Sequence, residues 1–288
     1  MKAVLAREVR GYYCSVTGWL FAAFLLLFAG IYTMAYNLTA GYANFEYVLS
    51  AISFIYLIGV PVLTMRAMAE ERRQKTDQLL YALPISLTQV VLGKYLALVT
   101  VLLLPTIVMG VYPLILSQFG QVPMGSAYVA LLGFFLLGAA LLALGLLISS
   151  LCESQVAAAV ITLMAGLLLY FITALSSFVS SAASSSLACL MLLAGVAAVL
   201  AYRFTHSALW AGGIFLVLAG GMGVWYYLDQ SAFAGLFPDM MQALGVFDRF
   251  DTFTGGILDL TGVVYFLSVS GVCLFLTVQA LEKRRWSA

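Results

Sequence analysis

Charged side chains are scarce in this sequence. Asp, Glu, Lys and Arg make up 9% of its 288 residues, whereas about 25% is usual in a soluble domain. Hydrophobic residues make up 64%, which is more than a water-soluble fold can bury. The 13 basic and 12 acidic side chains nearly cancel, so no net field attracts a polyanion. These shortages exclude a soluble enzyme, a nucleic-acid-binding protein and a disordered chain, and they predict an integral membrane protein.

Residues suited to catalysis or metal binding are equally few. His206 is the only histidine, and Cys14, Cys152, Cys189 and Cys273 show neither metal-ligand nor C-x-x-C spacing. The sequence has no G-x-x-x-x-G-K-[ST] phosphate-binding loop. We therefore expect no metal site, no catalytic cluster and no directly bound cofactor, so that the chain is not an enzyme by itself.

Long apolar runs dominate the chain. A helix needs about 20 apolar residues to cross the roughly 30 Å hydrocarbon layer of a bilayer. Eight runs without Asp, Glu, Lys or Arg meet or approach this length: Trp19–Tyr36, Val48–Met65, Tyr95–Leu116, Ala127–Leu151, Val156–Val179, Leu187–Tyr202, Ala208–Leu228 and Gly262–Leu281. They lack strict two-residue alternation, which favours helices over barrel strands. The sequence predicts an all-α polytopic membrane protein, a single transmembrane domain over residues 1–288 with about eight spans.

The basic residues predict the orientation of these spans. With the N-terminus inside, Arg249 is the only Lys or Arg on the outer side, as the positive-inside rule favours. The predicted outer loops carry the acidic residues Glu46, Asp229, Asp239, Asp248, Asp251 and Asp259. We expect both termini to be cytoplasmic, which requires the sixth and seventh runs to form a hairpin.

The predicted membrane runs contain no ionisable side chain that could drive transport. Ion-coupled transporters keep such groups at mid-membrane, and intramembrane proteases or metal-dependent lipid enzymes need paired carboxylates or His/Cys clusters. If the chain moves a cargo, the energy should come from another protein.

The longest predicted cytoplasmic segment, residues 66–94, joins the second and third runs. Thr76 and Asp77 can start a short helix, and Pro84 stops it. Ser86 can then cap the helix that enters the third run. The short helix exposes the apolar residues Leu79, Leu80 and Leu83. Because a helix of this length does not fold alone, it must lie on the membrane surface or dock into a groove of a partner.

Several motifs in this segment carry a family resemblance. The matching residues are Glu70, Glu71, Arg72, Arg73, Thr76, Leu79, Leu80, Pro84, Ser86, Gly93, Lys94, Leu96 and Ala97. In this pattern the sequence resembles the permease subunits of type-2 ABC exporters, most closely the branch of gliding-motility permeases and the copper-site maturation permease of nitrous oxide reductase. Lys75 stands where that family usually has Gly. A second stretch, from Phe247 to Leu267, and the closing Leu281–Arg285 are also similar to this branch.

The resemblance implies an ATP-driven mechanism. The Thr76–Leu83 helix would be the coupling helix, seated on a separate ABC ATPase subunit that carries ATP and Mg. The residues implied in coupling are Glu70, Glu71, Arg72, Arg73, Thr76, Leu79, Leu80, Leu83 and Pro84. Further implied partners are a second permease copy or a paralogue, an accessory membrane or extracytoplasmic subunit, and membrane lipid.

The resemblance also divides the chain. Residues 1–15 would form an interfacial elbow helix, consistent with their amphipathic pattern. The family core is a type V exporter-like domain of six spans, so residues 187–228 would be an extra hairpin. Residues 229–261 would form a re-entrant outer gate that includes Phe237, Met240, Met241, Phe247 and Phe250.

Three functions are compared on this basis. The first is a permease subunit that exports a hydrophobic or amphipathic cargo, lipid-like or peptide, across the plasma (inner) membrane of a prokaryote. The second is a non-transporting membrane scaffold for a multi-subunit complex. The third, a membrane-embedded lipid enzyme, lacks a catalytic cluster. The sequence favours the exporter.

Overall fold

The computed structural model describes residues 2–74, 86–205 and 208–287, and within these stretches all regular secondary structure is helical. The α-helices are α1 (Lys2–Cys14), α2 (Val16–Thr33), α3 (Glu46–Ile52), α4 (Tyr56–Thr64), α5 (Ala69–Arg73), α6 (Leu87–Met109), α7 (Val111–Leu116), α8 (Met124–Leu151), α9 (Gln155–Ser176), α10 (Ala183–Thr205), α11 (Ala208–Leu228), α12 (Leu236–Ala243), α13 (Val246–Thr254) and α14 (Leu260–Ser287). A π-helical turn, Met34–Thr39, extends α2.

Six helical stretches among the described residues are long and apolar enough to cross a membrane. They are Val16–Thr39, Glu46–Arg73, Leu87–Leu116, Met124–Leu151, Gln155–Ser176 and Leu260–Lys283. These stretches confirm the prediction of an all-helical, multi-pass chain. The described residues of the expected extra hairpin lie on α10 and α11, which pack against each other. Helix α10 begins at Ala183, within the serine-rich stretch, and an insertion of these helices into the family core stays a prediction. Full crossings by these two helices and cytoplasmic termini stay predictions.

The chain divides into two compact units. The main unit combines Met1–Leu168 with Val246–Ala288, and the second unit is Leu169–Gly245. Helix α8 lies at the centre of the main unit, where it contacts α3, α4, α5, α6, α13 and α14. Its buried face is rich in Ala and Gly, and small residues let neighbouring helices approach closely.

The second membrane span is not one continuous helix. It consists of α3, a 3₁₀ turn at Ser53–Ile55, α4 and α5. Tyr56, at the start of α4, is fully buried, and its hydroxyl donates to the Phe134 carbonyl at 3.1 Å while the two rings stack at 4.6 Å. This contact fixes α4 on α8. The chain then turns at residues 65–68 and resumes as α5, which leads into the cytoplasmic segment predicted from the sequence.

The second unit is held together by contacts of α10 with α11 and α12. Phe233 is buried, with its ring 5.3 Å from that of Trp225 and 5.6 Å from that of Tyr226. Gly235 has a φ of 81°, a left-handed conformation that favours glycine, and its amide donates to the Ser181 carbonyl at 2.9 Å. The turn before α12 is therefore tied to the residues that precede α10.

Candidate functional site

The start of α5 is fixed by a serine from another helix. The Ser149 hydroxyl, in the last turn of α8, accepts hydrogen bonds from the amides of Met68 and Ala69, each at 3.2 Å. Ser149 is completely buried. The first amides of a helix have no partner within the helix itself, so a buried hydroxyl at this position satisfies two of them. The segment that leads into residues 75–85 is thus attached to the central helix.

Arg72 attaches α5 to the end of α8. Its guanidinium donates to the carbonyls of Ser150 at 3.1 Å and Cys152 at 2.9 Å, and it lies 3.5 Å from the exposed carboxylate of Glu153. The carbonyls at the C-terminal end of a helix carry a partial negative charge, which favours a cation there. Arg72 therefore acts as a cap for α8 and holds α5 beside it.

Lys94, on α6, is the most buried cation among the described residues, with 2% of its side chain exposed. Its Nζ lies 2.9 Å from a carboxylate oxygen of Glu71 and 3.2 Å from one of Glu8, and it donates to the Ala67 carbonyl at 2.8 Å. Burying a charge without partners is costly, and here three acceptors compensate. The ammonium joins α6 to α1, to α5 and to the turn between α4 and α5.

Arg7 completes this ionic cluster from the surface. Its guanidinium lies 2.6 Å from Glu8 and 3.1 Å from Glu71, and its side chain is 56% exposed. The hydrogen bond to Glu8 raises the pKa of Arg7, so the guanidinium stays charged. Arg7, Glu8, Glu71 and Lys94 form a cluster of two cations and two carboxylates with no net charge. We call these four residues the Lys94 cluster.

Glu70 and Arg73 differ from their neighbours. Glu70 pairs with Arg66, one turn earlier, at 2.8 Å, and the Arg66 guanidinium also donates to the Thr17 hydroxyl at 3.2 Å. Arg73 is exposed. The side chains of Glu71 and Arg72 thus bind other helices, whereas those of Glu70 and Arg73 lie toward the surface.

Helix α13, which lies in the segment predicted to form the outer gate, packs tightly within the main unit. Phe250 is 1% exposed and lies 6.1 Å, ring to ring, from Phe134 of α8. Phe253 is fully buried against Gly133, where a Cβ atom would come within 2.6 Å of the phenylalanine Cβ. Phe247 is also buried, at 8% exposed.

The carboxylate of Asp259 caps the N-terminus of α14, the last helix. Asp259 Oδ1 accepts a hydrogen bond from the Thr261 amide at 2.9 Å, at the first turn of α14. This hydrogen bond lowers the pKa of Asp259, because it favours the charged form. Aspartate is among the preferred residues at helix N-termini, so the cap defines where α14 begins.

The comparison with known families identifies the fold. Residues 28–199 match the family described as ABC-2 family transporter protein, which covers more than half of the chain. The chain belongs to the ABC-2 transporter family. No curated protein and no solved structure shows a significant match. The chain is therefore a transmembrane permease component of an ABC transporter, and members of this family generally work with an ABC ATPase and are typically not catalytic themselves.

The ABC-2 match includes the whole segment 66–94, which the sequence predicts to be cytoplasmic. Of the residues implied in coupling, Glu70, Glu71, Arg72 and Arg73 lie on the attached α5. Thr76, Leu79, Leu80, Leu83 and Pro84 lie outside the described residues. On the far side of this gap Ser86 caps α6, its hydroxyl accepting from the Gln89 amide at 3.4 Å, which confirms the predicted helix start.

The residues predicted for the outer gate of this ABC-2 permease lie on two helices. Phe237, Met240 and Met241 are on α12 of the second unit, where Met240 is 43% exposed and the other two are partly exposed. Phe247 and Phe250 are buried on α13 of the main unit. The last two are core residues of their unit, and a gating role for the set stays a prediction.

The roles of three residues that attach α5 and α1 were not predicted from the sequence. Lys94 was matched only as part of a motif and was expected to be a positive charge facing the cytoplasm, whereas it is buried. Glu8 is the only acid in the basic α1, an anomaly that could have indicated a partner. Ser149 lies in an ordinary Ile-Ser-Ser-Leu stretch at the end of an apolar run, and no sequence signal distinguishes it.

Proposed function

We propose that this chain is the permease subunit of an ATP-driven ABC-2 exporter, in which Thr76–Leu83 forms the coupling helix seated on a separate ATPase subunit. The observation that carries the proposal is the attachment of α5. Ser149, Arg72 and Lys94 join it to α8, α6 and α1 through buried or partly buried hydrogen bonds. A force applied to the loop would therefore reach the membrane helices without being lost in a flexible hinge.

The finer assignments extend this proposal. The motifs around Glu70–Ala97 and Phe247–Leu267 support a place in the gliding-motility and copper-maturation branch, and thus in the plasma membrane of a prokaryote. The apolar, charge-poor spans suit a lipid-like or hydrophobic peptide cargo. A second permease copy or a paralogue would complete the cargo path between permeases, and ATP binding would switch its access by closing the two ATPase subunits.

The test is ATP turnover in the reconstituted complex. The chain is purified with the ABC ATPase subunit that co-purifies with it and is placed in lipid vesicles. The double variant Leu79→Asp with Leu80→Asp should abolish the effect of the permease on ATP turnover, because charged residues cannot enter an apolar groove. The matched control, Leu79→Met with Leu80→Met, keeps the apolar surface and should behave like the native chain.

Unchanged ATP turnover in the aspartate variant would contradict the coupling role. Such a result, together with an intact complex and no cargo movement in vesicles, would favour the scaffold function instead.

A further inference from the structure

Helix α1 packs closely on α6 at a glycine. A Cβ atom on Gly93 would lie 3.0 Å from Val4 Cγ1 and 3.2 Å from Val4 Cβ, and Val4 itself is buried. Val4 and Glu8 are four residues apart and therefore lie on the same face of α1. The close approach that Gly93 permits brings Glu8 within reach of the next residue on α6, Lys94.

The ammonium of Lys94 uses its full hydrogen-bonding capacity to join three segments. A lysine side chain has three donors, and the Nζ of Lys94 has three acceptors in three places: Glu8 on α1, Glu71 on α5 and the Ala67 carbonyl in the preceding turn. Two of these acceptors belong to the segment that carries residues 75–85. The third acceptor, Glu8, connects this segment through Lys94 to α1. Arg7 of α1 also contacts Glu71 directly at 3.1 Å, but its side chain is 56% exposed, and exposed ion pairs contribute little.

Stability alone does not account for this arrangement. A buried ion pair generally gives no more stability than well-packed apolar residues of similar volume. What it does give is a directional connection between specific groups. The C-terminal part of α1 has other attachments, because the hydroxyls of Tyr12 and Tyr13 donate to the carbonyls of Leu63 and Thr100 at 3.3 and 3.4 Å. The Lys94 cluster acts on the N-terminal half.

We propose that α1 is a moving part of the coupling apparatus and that Lys94 is the positioning residue that transmits the displacement of α5 to it. The inference rests on the proposed function, since it is the ATPase that would displace α5. When the ATPase subunit pushes residues 75–85, α5 shifts, and the Glu71–Lys94–Glu8 chain of contacts carries the N-terminal half of α1 with it.

The test measures the position of α1 directly. All four native cysteines are replaced, and spin labels are attached at Ala6→Cys on α1 and Ser154→Cys, just beyond α8; both positions are exposed. The labelled chain is diluted with unlabelled chain and assembled with its ATPase subunit. The distance between the labels is then measured by pulsed electron paramagnetic resonance with and without a non-hydrolysable ATP analogue.

In the native chain we expect the nucleotide to shift this distance. Glu8→Ala should lose the shift while the ATPase subunit still co-purifies, because Lys94 keeps Glu71 and Ala67 as partners. Lys94→Met, the second variant, should lose it as well. Glu8→Gln should retain the shift, since its amide oxygen can still accept from Lys94, and Glu282→Ala, which removes an exposed carboxylate from α14, should also retain it.

Two results would overturn the inference. One is a shift that persists in both Glu8→Ala and Lys94→Met. The other is a native chain without a shift in which ATP turnover still responds to the Leu79 and Leu80 aspartate variants, which would leave the proposed function intact. If ATP turnover does not change in the aspartate variants, the proposed function itself fails. That result comes from the turnover assay and not from the distance measurement.

Discussion

Ser149 shows how one hydroxyl positions a functional segment. Its oxygen accepts two amide hydrogen bonds from the start of α5, eighty or more residues away in the sequence. Both amides lie in a buried environment where water cannot replace the hydroxyl. Ser149 therefore fixes the position of α5 without belonging to any motif.

Ser149→Ala should destabilise the fold by about 1–3 kcal/mol, because it leaves two buried amides without a partner. The amides of Met68 and Ala69 should also exchange their hydrogens faster. Thermal unfolding in detergent and hydrogen exchange measure the two effects.

Ser150→Ala is the matched control for Ser149. The Ser150 hydroxyl donates to the Leu147 carbonyl within its own helix, so its loss leaves no buried amide unsatisfied. A Ser150→Ala effect as large as that of Ser149→Ala would contradict the capping role.

Gly133 of α8 determines how closely α8 approaches α13. Gly133→Ala should destabilise the fold by about 1–3 kcal/mol, because overpacking a filled core forces its neighbours apart, and here the new methyl would overlap Phe253. Gly125→Ala, on the same helix with open space around it, should change stability little. Thermal unfolding of the two variants compares them, and equal stabilities would exclude the close contact of α8 with α13.

At the scale of elements, α1 is held on α6 by side-chain packing as well as by ion pairs. Its amphipathic sequence places Val4 and Tyr12 in the core while Lys2, Arg7 and Arg10 stay exposed. The contact at Gly93 sets how closely it approaches α6. The adjacent residues Gly93 and Lys94 thus provide both a packing contact and a charged contact for the N-terminal half of α1.

Gly93→Leu should displace α1 from α6, because its side chain would occupy the space of Val4. The expected result is faster cleavage of α1 by trypsin at Arg7 and Arg10 in detergent. Gly11→Leu, on α1 itself with nothing nearby, is the control and should leave cleavage unchanged. Equal protection of both variants would show that α1 does not dock through Gly93.

The sequence was informative where structure is local. Apolar runs predicted about eight spans, six of which correspond to helical stretches long enough to cross a membrane, and Ser86 predicted the start of α6. Both predictions depend on neighbours in the chain. The break between α4 and α5, the role of Ser149 and the burial of Lys94 were not predicted. Each depends on contacts between residues distant in sequence, and a lysine next to an apolar run looks the same whether it faces water or three buried acceptors.

At the scale of the whole molecule, much apolar surface stays exposed on the described spans. Met164 and Leu168 on α9 and Leu267 and Phe275 on α14 are each more than half exposed. A single exposed apolar residue needs no explanation. The many exposed apolar residues on the spanning helices indicate surfaces that contact lipid or a second permease copy. The orientation of these spans then decides which end meets the ATPase.

The positive-inside distribution predicts that residues 66–94 face the cytoplasm. In a cysteine-free chain, a single cysteine at Gln74 should react with a membrane-impermeant maleimide only after the cells are opened. A cysteine at Phe119, which is 82% exposed between α7 and α8, should react in intact cells. The reverse pattern would contradict the orientation.

The most direct measurement is photo-crosslinking from Leu80, at the centre of the proposed coupling helix. A photoreactive amino acid at this position should crosslink to the ABC ATPase subunit in the assembled complex, whereas the same group at Phe119 should not. Crosslinks from Leu80 to lipid alone, with the ATPase present and bound elsewhere, would contradict the account.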